Sequence, residues 1–298
     1  MRPSERMIAT RNATIVLSDS GGGGFPLLLL HGSGSSRQIF DRQLQSALTE
    51  HFRLIAIDLP GHGDSSNALD DGRSYTLPGL ATTIDNVVEA LGLKRMAIFG
   101  WSLGGHIALE LASQRSVDGV MIMGAPPISR GPIGLLKAFR TNLDTGLASK
   151  EKFSDADVAR FAAICFGDHV EPDQIDSIRR ADGKLRKTMF GSMLSGRCAD
   201  ERHLVETSQM PVAVVNGSEE PFVRLSYVTR LRYRALWDGM CHIIPDAGHD
   251  AFRTAPATFN NLLLRFTSDV SRQIAAPVAE RTRNVPLILS APQVARRA

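Results

Sequence analysis

The chain has 298 residues, of which 43% are hydrophobic and 22% charged, as in a soluble globular protein of one large domain or one domain with an insertion. The net charge of +3 does not indicate a nucleic-acid partner, because residues 271–298 carry five arginines against one glutamate and leave the rest near neutral. No apolar run approaches the roughly 18 residues of a membrane helix, and the N-terminus lacks the apolar core of a signal peptide. We therefore expect a cytoplasmic protein that binds neither nucleic acid nor membrane.

The cysteines give no sign of a metal or redox site. Cys165, Cys198 and Cys241 are widely spaced and form no C-x-x-C pair. An odd number of separate cysteines predicts free thiols in a reducing compartment. We therefore expect no metal and no cofactor.

Short apolar runs alternate with longer helical patterns in the first 126 residues. Strands are predicted at 27–30, 53–57, 96–99 and 119–123, and helices at 37–49, 80–91 and 103–114. Strands that are apolar throughout must be covered on both faces, as in parallel sheets with crossover helices. The pattern predicts an α/β protein with a mostly parallel central sheet and flanking helices.

The alternation then stops, and helical patterns alone fill residues 127–209. They include 154–166 and 173–194. At the start of 154–166, Ser154 and Asp157 are three residues apart, which is the spacing of an N-terminal capping arrangement. This block therefore looks like a helical insertion that packs over the sheet.

Strand patterns return at 212–215 and 241–244. The helical block is thus inserted before the last two strands. The predicted organisation is a core in two parts (1–126 and 210–268), a helical cap (127–209) and a disordered tail rich in Ala, Pro and Arg (269–298).

The segment FGWSLGG, residues 99–105, places a serine between a predicted strand and a predicted helix. Gly100, Ser102 and Gly104 fit G-x-S-x-G, the nucleophile elbow, whose glycines allow a sharp turn that exposes the hydroxyl. A chance match at a strand-to-helix junction of an α/β chain is uncommon. Ser102 is therefore the predicted nucleophile.

A serine hydroxyl needs a base, and in this arrangement the base comes last in the chain. Of the eight histidines, His249 follows the last predicted strand in a loop rich in Pro, Asp and Gly. Loops at the carboxyl ends of parallel strands are where sites gather. His249 is the predicted base, whereas His106 and His242 are expected to pack and His62 to support its own loop.

The third member of a triad orients the imidazole and stabilises its charged form. The segment NGSEEPF offers Glu219 and Glu220 after a buried strand, and either carboxylate could serve. Glu220 is favoured because it lies three residues beyond Gly217 and directly before Pro221, which would hold the loop.

An oxyanion hole needs two donors at the place where negative charge develops. The backbone amide of Leu103, next to the nucleophile, is one candidate. The other is the amide of Ser33, in the turn after the strand at 27–30. His31 and Gly32 of that turn also fit a purely structural turn, and both interpretations can hold.

The segments LHGSG, DLPGHGDS, GWSLGG, NGSEEPF and DAGH together resemble the α/β-hydrolase fold family, over roughly residues 8–267. The resemblance implies that fold and a triad of Ser102, Glu220 and His249. It leaves the substrate open, because the superfamily includes esterases, lipases, C–C bond hydrolases and dehalogenases. A dehalogenase would carry aspartate at position 102, so that branch is disfavoured.

Longer segments, among them FGWSLGGHIALE, RADGKLRKTMF and DAGHDAFRTAPATF, are similar to the metal-independent N-acyl homoserine lactonases, which quench quorum sensing. This similarity extends into the cap. It implies ring-opening hydrolysis of lactones, with the glutamate before Pro-Phe as the acid, in agreement with Glu220. The lactonase pattern also has an asparagine after the His-Gly turn and a tyrosine on a cap helix, where this chain has Ser33 and Phe161.

Three apolar side chains are candidates for substrate binding: Trp101, Phe161 and Met189. The indole N–H of Trp101 could donate to a substrate carbonyl, or the ring could simply pack beside the elbow. The expected protein is a monomer or homodimer that hydrolyses a small-molecule ester or lactone. The alternatives are a general carboxylesterase or C–C bond hydrolase of small hydrophobic substrates, and a non-catalytic ligand receptor on the same fold.

Overall fold

A computed structural model describes residues 3–140 and 143–275 of the chain. In this part, eight strands form one sheet in the order β1-β2-β4-β3-β5-β6-β7-β8. The strands are β1 (Ser4–Ala9), β2 (Thr14–Asp19), β3 (Phe25–Leu30), β4 (Phe52–Ile57), β5 (Ala97–Trp101), β6 (Gly119–Met123), β7 (Val212–Gly217) and β8 (His242–Ile244). Strands β1, β2 and β4 pair antiparallel, and every pairing from β4 to β8 is parallel.

Helices cover both faces of this sheet. They are α1 (Asp41–Leu44), α2 (Leu48–His51), α3 (Asp71–Ser74), α4 (Leu77–Ala90), α5 (Leu103–Gln114), α6 (Pro132–Ala138), α7 (Asp155–Phe166), α8 (Pro172–Arg180), α9 (Gly183–Leu194), α10 (Glu201–Thr207), α11 (Leu225–Val228), α12 (Ala251–Thr254) and α13 (Pro256–Ala275). Short 3-10 turns lie at Arg37–Phe40, Leu143–Ser149 and Trp237–Gly239.

The two faces of the sheet account for the continuous apolar strands. Side chains alternate between the faces, so Leu27 and Leu29 of β3 pack in one hydrophobic cluster and Leu28 and Leu30 in the other. All four are fully buried. The predicted α/β class, with a mostly parallel sheet and flanking helices, is confirmed.

The N-terminal hairpin of β1 and β2 was not predicted from the sequence. Strand β1, with the sequence SERMIA, lies at the sheet edge and is exposed at every residue except Ile8. An edge strand that buries one side chain carries almost no apolar pattern.

The helix predicted at 37–49 is broken into a 3-10 turn, α1 and the start of α2. The hydroxyl of Ser46 donates to the carbonyl of Gln43 at 2.8 Å and accepts from the amide of Leu48 at 3.2 Å. These local bonds compete with those of a continuous helix.

The pattern at 173–194 forms two helices, α8 and α9, with a corner at Ala181 and Asp182. The Asp182 carboxylate caps α9 by accepting from the amide of Lys184 at 3.1 Å, and its own amide donates to the carbonyl of Gly61 at 2.8 Å. At the start of α7, Ser154 and Asp157 form the reciprocal capping box that their spacing predicts.

Helices α6 to α10 lie between β6 and β7 in the chain, so the helical insertion precedes the last two strands. The expected disordered tail needs correction at its start, because α13 continues to Ala275. Val270 is buried there, against Gly119 at the start of β6. Residues 276–298 of that tail lie outside the described part of the chain. None of the described helices is long and apolar enough to cross a membrane.

Candidate active site

Ser102 lies in a sharp turn between β5 and α5, at φ 53° and ψ −119°. This left-handed backbone is strained for any residue with a side chain. The flanking glycines make the turn possible. A Cβ at position 100 would overlap the carbonyl of Gly104, and a Cβ at position 104 would overlap the carbonyl of Leu30. The sequence thus folds into an elbow with Ser102 at its tip.

His249 and Glu220 meet in the loops that follow β8 and β7. Nδ1 of His249 lies 2.8 Å from Oε2 and 3.0 Å from Oε1 of the Glu220 carboxylate. Both side chains are buried. An ionised carboxylate only accepts, so Nδ1 carries the proton, and Nε2 of the neutral ring is left as a base.

The surroundings of Glu220 favour its ionised form. Burial alone would raise the pKa of this carboxyl, but the imidazole of His249 and two backbone amides outweigh it, and the pKa is lowered. Those amides, from Phe222 and Val223, donate to Oε1 at 2.9 and 3.3 Å. Glu219, the alternative acid, is exposed, and its amide donates to the carbonyl of Ala247. The structure therefore joins Glu220, and not Glu219, to His249.

The imidazole and the elbow meet at the carboxyl ends of β5 and β6. The amide of Ser102 donates to the carbonyl of Met123 at 2.7 Å. The next residue, Gly124, has a φ of 66°, and a Cβ there would overlap the ring of His249. The ring of His249 therefore lies over the strand end that holds the Ser102 turn.

The indole of Trp101 is directed at the His249 loop. Its Nε1–H donates to the backbone carbonyl of His249 at 2.8 Å, and the two ring centroids are 5.4 Å apart. The side chain is 1% exposed and packs against Phe166 and Phe252. Because this donor is already paired and the ring is buried, the structure favours the packing interpretation of Trp101 over donation to a substrate carbonyl. Trp101 thus ties the loop that carries His249 to the Ser102 turn.

The candidate oxyanion donors lie beside the elbow. A Cβ at Gly32 would be 3.1 Å from Cβ of Ser102, so the turn that carries Ser33 packs against the nucleophile. Leu103 is the first residue of α5, and a first-turn amide has no acceptor within its own helix. The hydroxyl Oγ of Ser33 is buried without a hydrogen-bond partner among the described residues.

Of the two cap residues predicted to bind substrate, Phe161 lies over the turn that carries Ser33, and Met189 does not. Its ring and Ile178 approach Gly34 so closely that a Cβ there would lie 3.2 and 3.3 Å from them. Phe161 belongs to the hydrophobic cluster on one face of the sheet, and Met189 to the cluster on the other face, with Leu185 and Met193. The structure thus packs Met189 with other apolar cap residues, and its contact with substrate stays a prediction.

Comparison with known proteins agrees with this geometry. A sequence profile described as the alpha/beta hydrolase fold matches residues 26–256. The chain belongs to the α/β-hydrolase family. It is also similar to a solved structure of N-acyl homoserine lactonase AidH complexed with N-butanoyl homoserine, with 40% identity, a TM-score of 0.87, and coverage of 90% of this chain and 97% of that one.

Two other matches have lower identity. A 2-hydroxy-6-oxononadienedioate/2-hydroxy-6-oxononatrienedioate hydrolase of Cupriavidus pinatubonensis is 30% identical over 84% of this hydrolase and 89% of its own length. The esterase RhEst1 from Rhodococcus sp. ECU1013 is 20% identical, with a TM-score of 0.73 over 91% of this chain and 100% of that one. The esterase match supports the fold alone.

The sequence analysis missed two neighbours of His249 in this α/β hydrolase. The ring of Phe222 meets His249 edge to face, with centroids 4.7 Å apart. Asp250, the residue after His249, is also buried, and burial raises the pKa of its carboxyl. The sequence carried one signal for Asp250, a charged residue placed between His249 and the apolar residues that begin α12. Across the described residues, no group of three His, Cys, Asp or Glu side chains could hold a metal ion.

Replacing Trp101 with phenylalanine should lower kcat about tenfold and the free energy of unfolding by about 1–3 kcal/mol, because the buried carbonyl of His249 loses its donor. Steady-state kinetics and denaturant unfolding measure the two effects. Trp237→Phe is the matched control, since Nε1 of Trp237 donates to Asp269 at 2.9 Å, away from the triad. Equal kcat values for the two variants would contradict the role of Trp101.

Proposed function

We propose that this α/β hydrolase opens the ring of N-acyl homoserine lactones through an acyl-enzyme on Ser102. The observation that carries the proposal is the pairing of Glu220 with His249 at the strand ends that hold the Ser102 elbow. Similarity to the lactonase AidH over 90% of the chain, cap included, favours a lactone over other esters. Apolar side chains beside the turn that carries Ser33, such as Phe161, would suit contact with an acyl chain.

The proposed chemistry is acyl transfer through Ser102. Nε2 of His249 takes the proton of Ser102 as Oγ bonds to the lactone carbonyl carbon, and the amides of Leu103 and Ser33 hold the oxyanion. The ring C–O bond then breaks, and His249 returns its proton to the ring oxygen. Water, deprotonated by His249, attacks the ester carbonyl and displaces Oγ, which takes the proton back from His249. The product is N-acyl homoserine, with one proton released at neutral pH.

This chain would hold the lactone with fewer polar side chains than the lactonase pattern provides. Ser33 and Phe161 stand where that pattern has an amide and a phenol. The unpartnered hydroxyl of Ser33 is a donor that a substrate carbonyl could use. Recognition would therefore depend mostly on apolar contact with the acyl chain.

A substrate panel tests the proposal. Lactones with acyl chains of four to twelve carbons and p-nitrophenyl esters are supplied to the full chain, with acid release followed by pH-stat and products by mass spectrometry. The expected product is N-acyl homoserine, with kcat/KM at least about tenfold higher for a lactone than for an ester of the same acyl length. Ester turnover with the lactones left intact would overturn the lactone assignment and leave a general carboxylesterase.

The second candidate is hydrolysis of a C–C bond, which the 30% identical relative from Cupriavidus pinatubonensis favours. The substrate in that name carries a ketone at carbon 6, and no ester. A vinylogous 1,5-diketone whose absorbance falls on cleavage separates the candidates. Its turnover without lactone opening would replace the first proposal with the second.

A further inference from the structure

Two buried histidines lie behind the turn that carries Ser33. His31 opens the turn after β3, and His62 comes from the loop after β4. Both are at most 1% exposed, and their ring centroids are 5.1 Å apart. The reaction proposed above uses neither ring. Two buried polar side chains near the site therefore need another role.

The hydrogen bonds of His31 fix its tautomer. The backbone amide of Leu59 donates to Nε2 at 3.0 Å, so Nε2 must carry a lone pair. The proton is therefore on Nδ1, which donates to the carbonyl of Gly32 at 2.8 Å. In a trans peptide the C=O and the next N–H point in opposite directions. By holding the Gly32 carbonyl, His31 sets the direction of the Ser33 amide.

His62 does the same for the following peptide. The amide of Gly34 donates to Nε2 of His62 at 3.0 Å, and the carbonyl of Pro60 accepts from Nδ1–H at 3.2 Å. The peptides before and after Ser33 are thus each anchored by one neutral imidazole. Gly34 has a φ of 75°, so the turn depends on a backbone that few residues adopt.

We propose that His31 and His62 are positioning residues that hold the Ser33 amide as the second oxyanion donor. The proposal rests on the proposed function, because it needs Ser33 to serve the oxyanion. Each ring works only as a neutral imidazole, since a protonated Nε2 would face a backbone N–H that is itself a donor.

The surroundings keep both rings neutral. Burial lowers the pKa of His31, where the Asp58 carboxylate opposes this effect and Arg37 adds to it. The pKa of His62 lies well below its usual value, because of burial first and also because of the positive charges of the cap residues Arg186 and Arg180.

The test compares two variants of His62 with an exposed control. His62→Ala removes the acceptor for Gly34, and His62→Gln offers an amide oxygen in its place. His51→Ala changes an exposed histidine. The readouts are kcat, KM and the inhibition constant of an alkylboronic acid, whose adduct with Ser102 places an oxygen in the oxyanion hole.

Loss of one oxyanion donor lowers kcat by about 100- to 1,000-fold, so a misdirected donor in His62→Ala should lower it about 10- to 100-fold. KM should stay within about twofold, and the boronic acid should weaken by the same factor as kcat. His62→Gln should recover most of both losses, and His51→Ala should change neither. Unchanged boronic acid affinity in His62→Ala, or equal losses in both His62 variants, would overturn the proposal.

A measurement on the unaltered chain covers the case in which His62→Ala fails to fold. Nitrogen-15 NMR of the histidine side chains distinguishes the two neutral tautomers and the imidazolium. At pH 7 both rings should carry their proton on Nδ1, and finding either as an imidazolium or as the Nε2–H form would refute the proposal. An inactive wild-type enzyme with these tautomers would instead count against the proposed function.

Discussion

Replacing Ser102 with alanine is expected to lower kcat for the best lactone or ester by about five to six orders of magnitude. The hydroxyl forms the covalent bond, and no other nucleophile stands at the tip of the elbow. What turnover remains would come from water attack aided by the oxyanion donors. Single-turnover kinetics with purified enzyme, checked against contaminating wild type by an active-site titrant, measures the loss.

Ser113→Ala is the control for this change, because Ser113 lies exposed at the far end of the same helix, α5. Its kcat should match that of the wild type. The Ser102 variant should also keep its fold, because alanine removes only the hydroxyl from a partly exposed side chain. Undiminished turnover by folded Ser102→Ala would exclude an acyl-enzyme at this position.

Glu220→Gln is expected to lower kcat by about three to four orders of magnitude with a smaller change in KM. The amide oxygen would accept from the backbone of Phe222 and Val223, as Oε1 does now. The amide NH2 would then face Nδ1 of His249 and force the proton onto Nε2, the wrong tautomer for a base.

Glu219→Gln makes the same chemical change one residue earlier, at an exposed side chain. Its kcat should stay within about twofold of the wild type. The pair of variants therefore separates a triad acid from a general effect of charge in the loop. A larger loss in Glu219→Gln than in Glu220→Gln would reverse the assignment of the acid.

The fold could be predicted because local and global signals agree. The fully apolar strand at 27–30 required cover on both faces. Gly100 and Gly104 lie in a turn so tight that a side chain at either position would overlap backbone atoms. Where the signal is weak the prediction failed. Strand β1 shows one buried residue, and the corner at Asp182 depends on a bond to Gly61, distant in the chain.

By itself, the sequence determined the fold class and predicted the elbow at Ser102 and the chain order of nucleophile, acid and base, because these follow from spacing along the chain. The choice of Glu220 over Glu219 needed the tertiary structure, since only the packed loops bring one carboxylate to Nδ1 of His249. So did the direction of the Trp101 N–H and the tautomer of His31. Each depends on which backbone group from a distant segment lies within hydrogen-bond distance, and no local pattern carries that information.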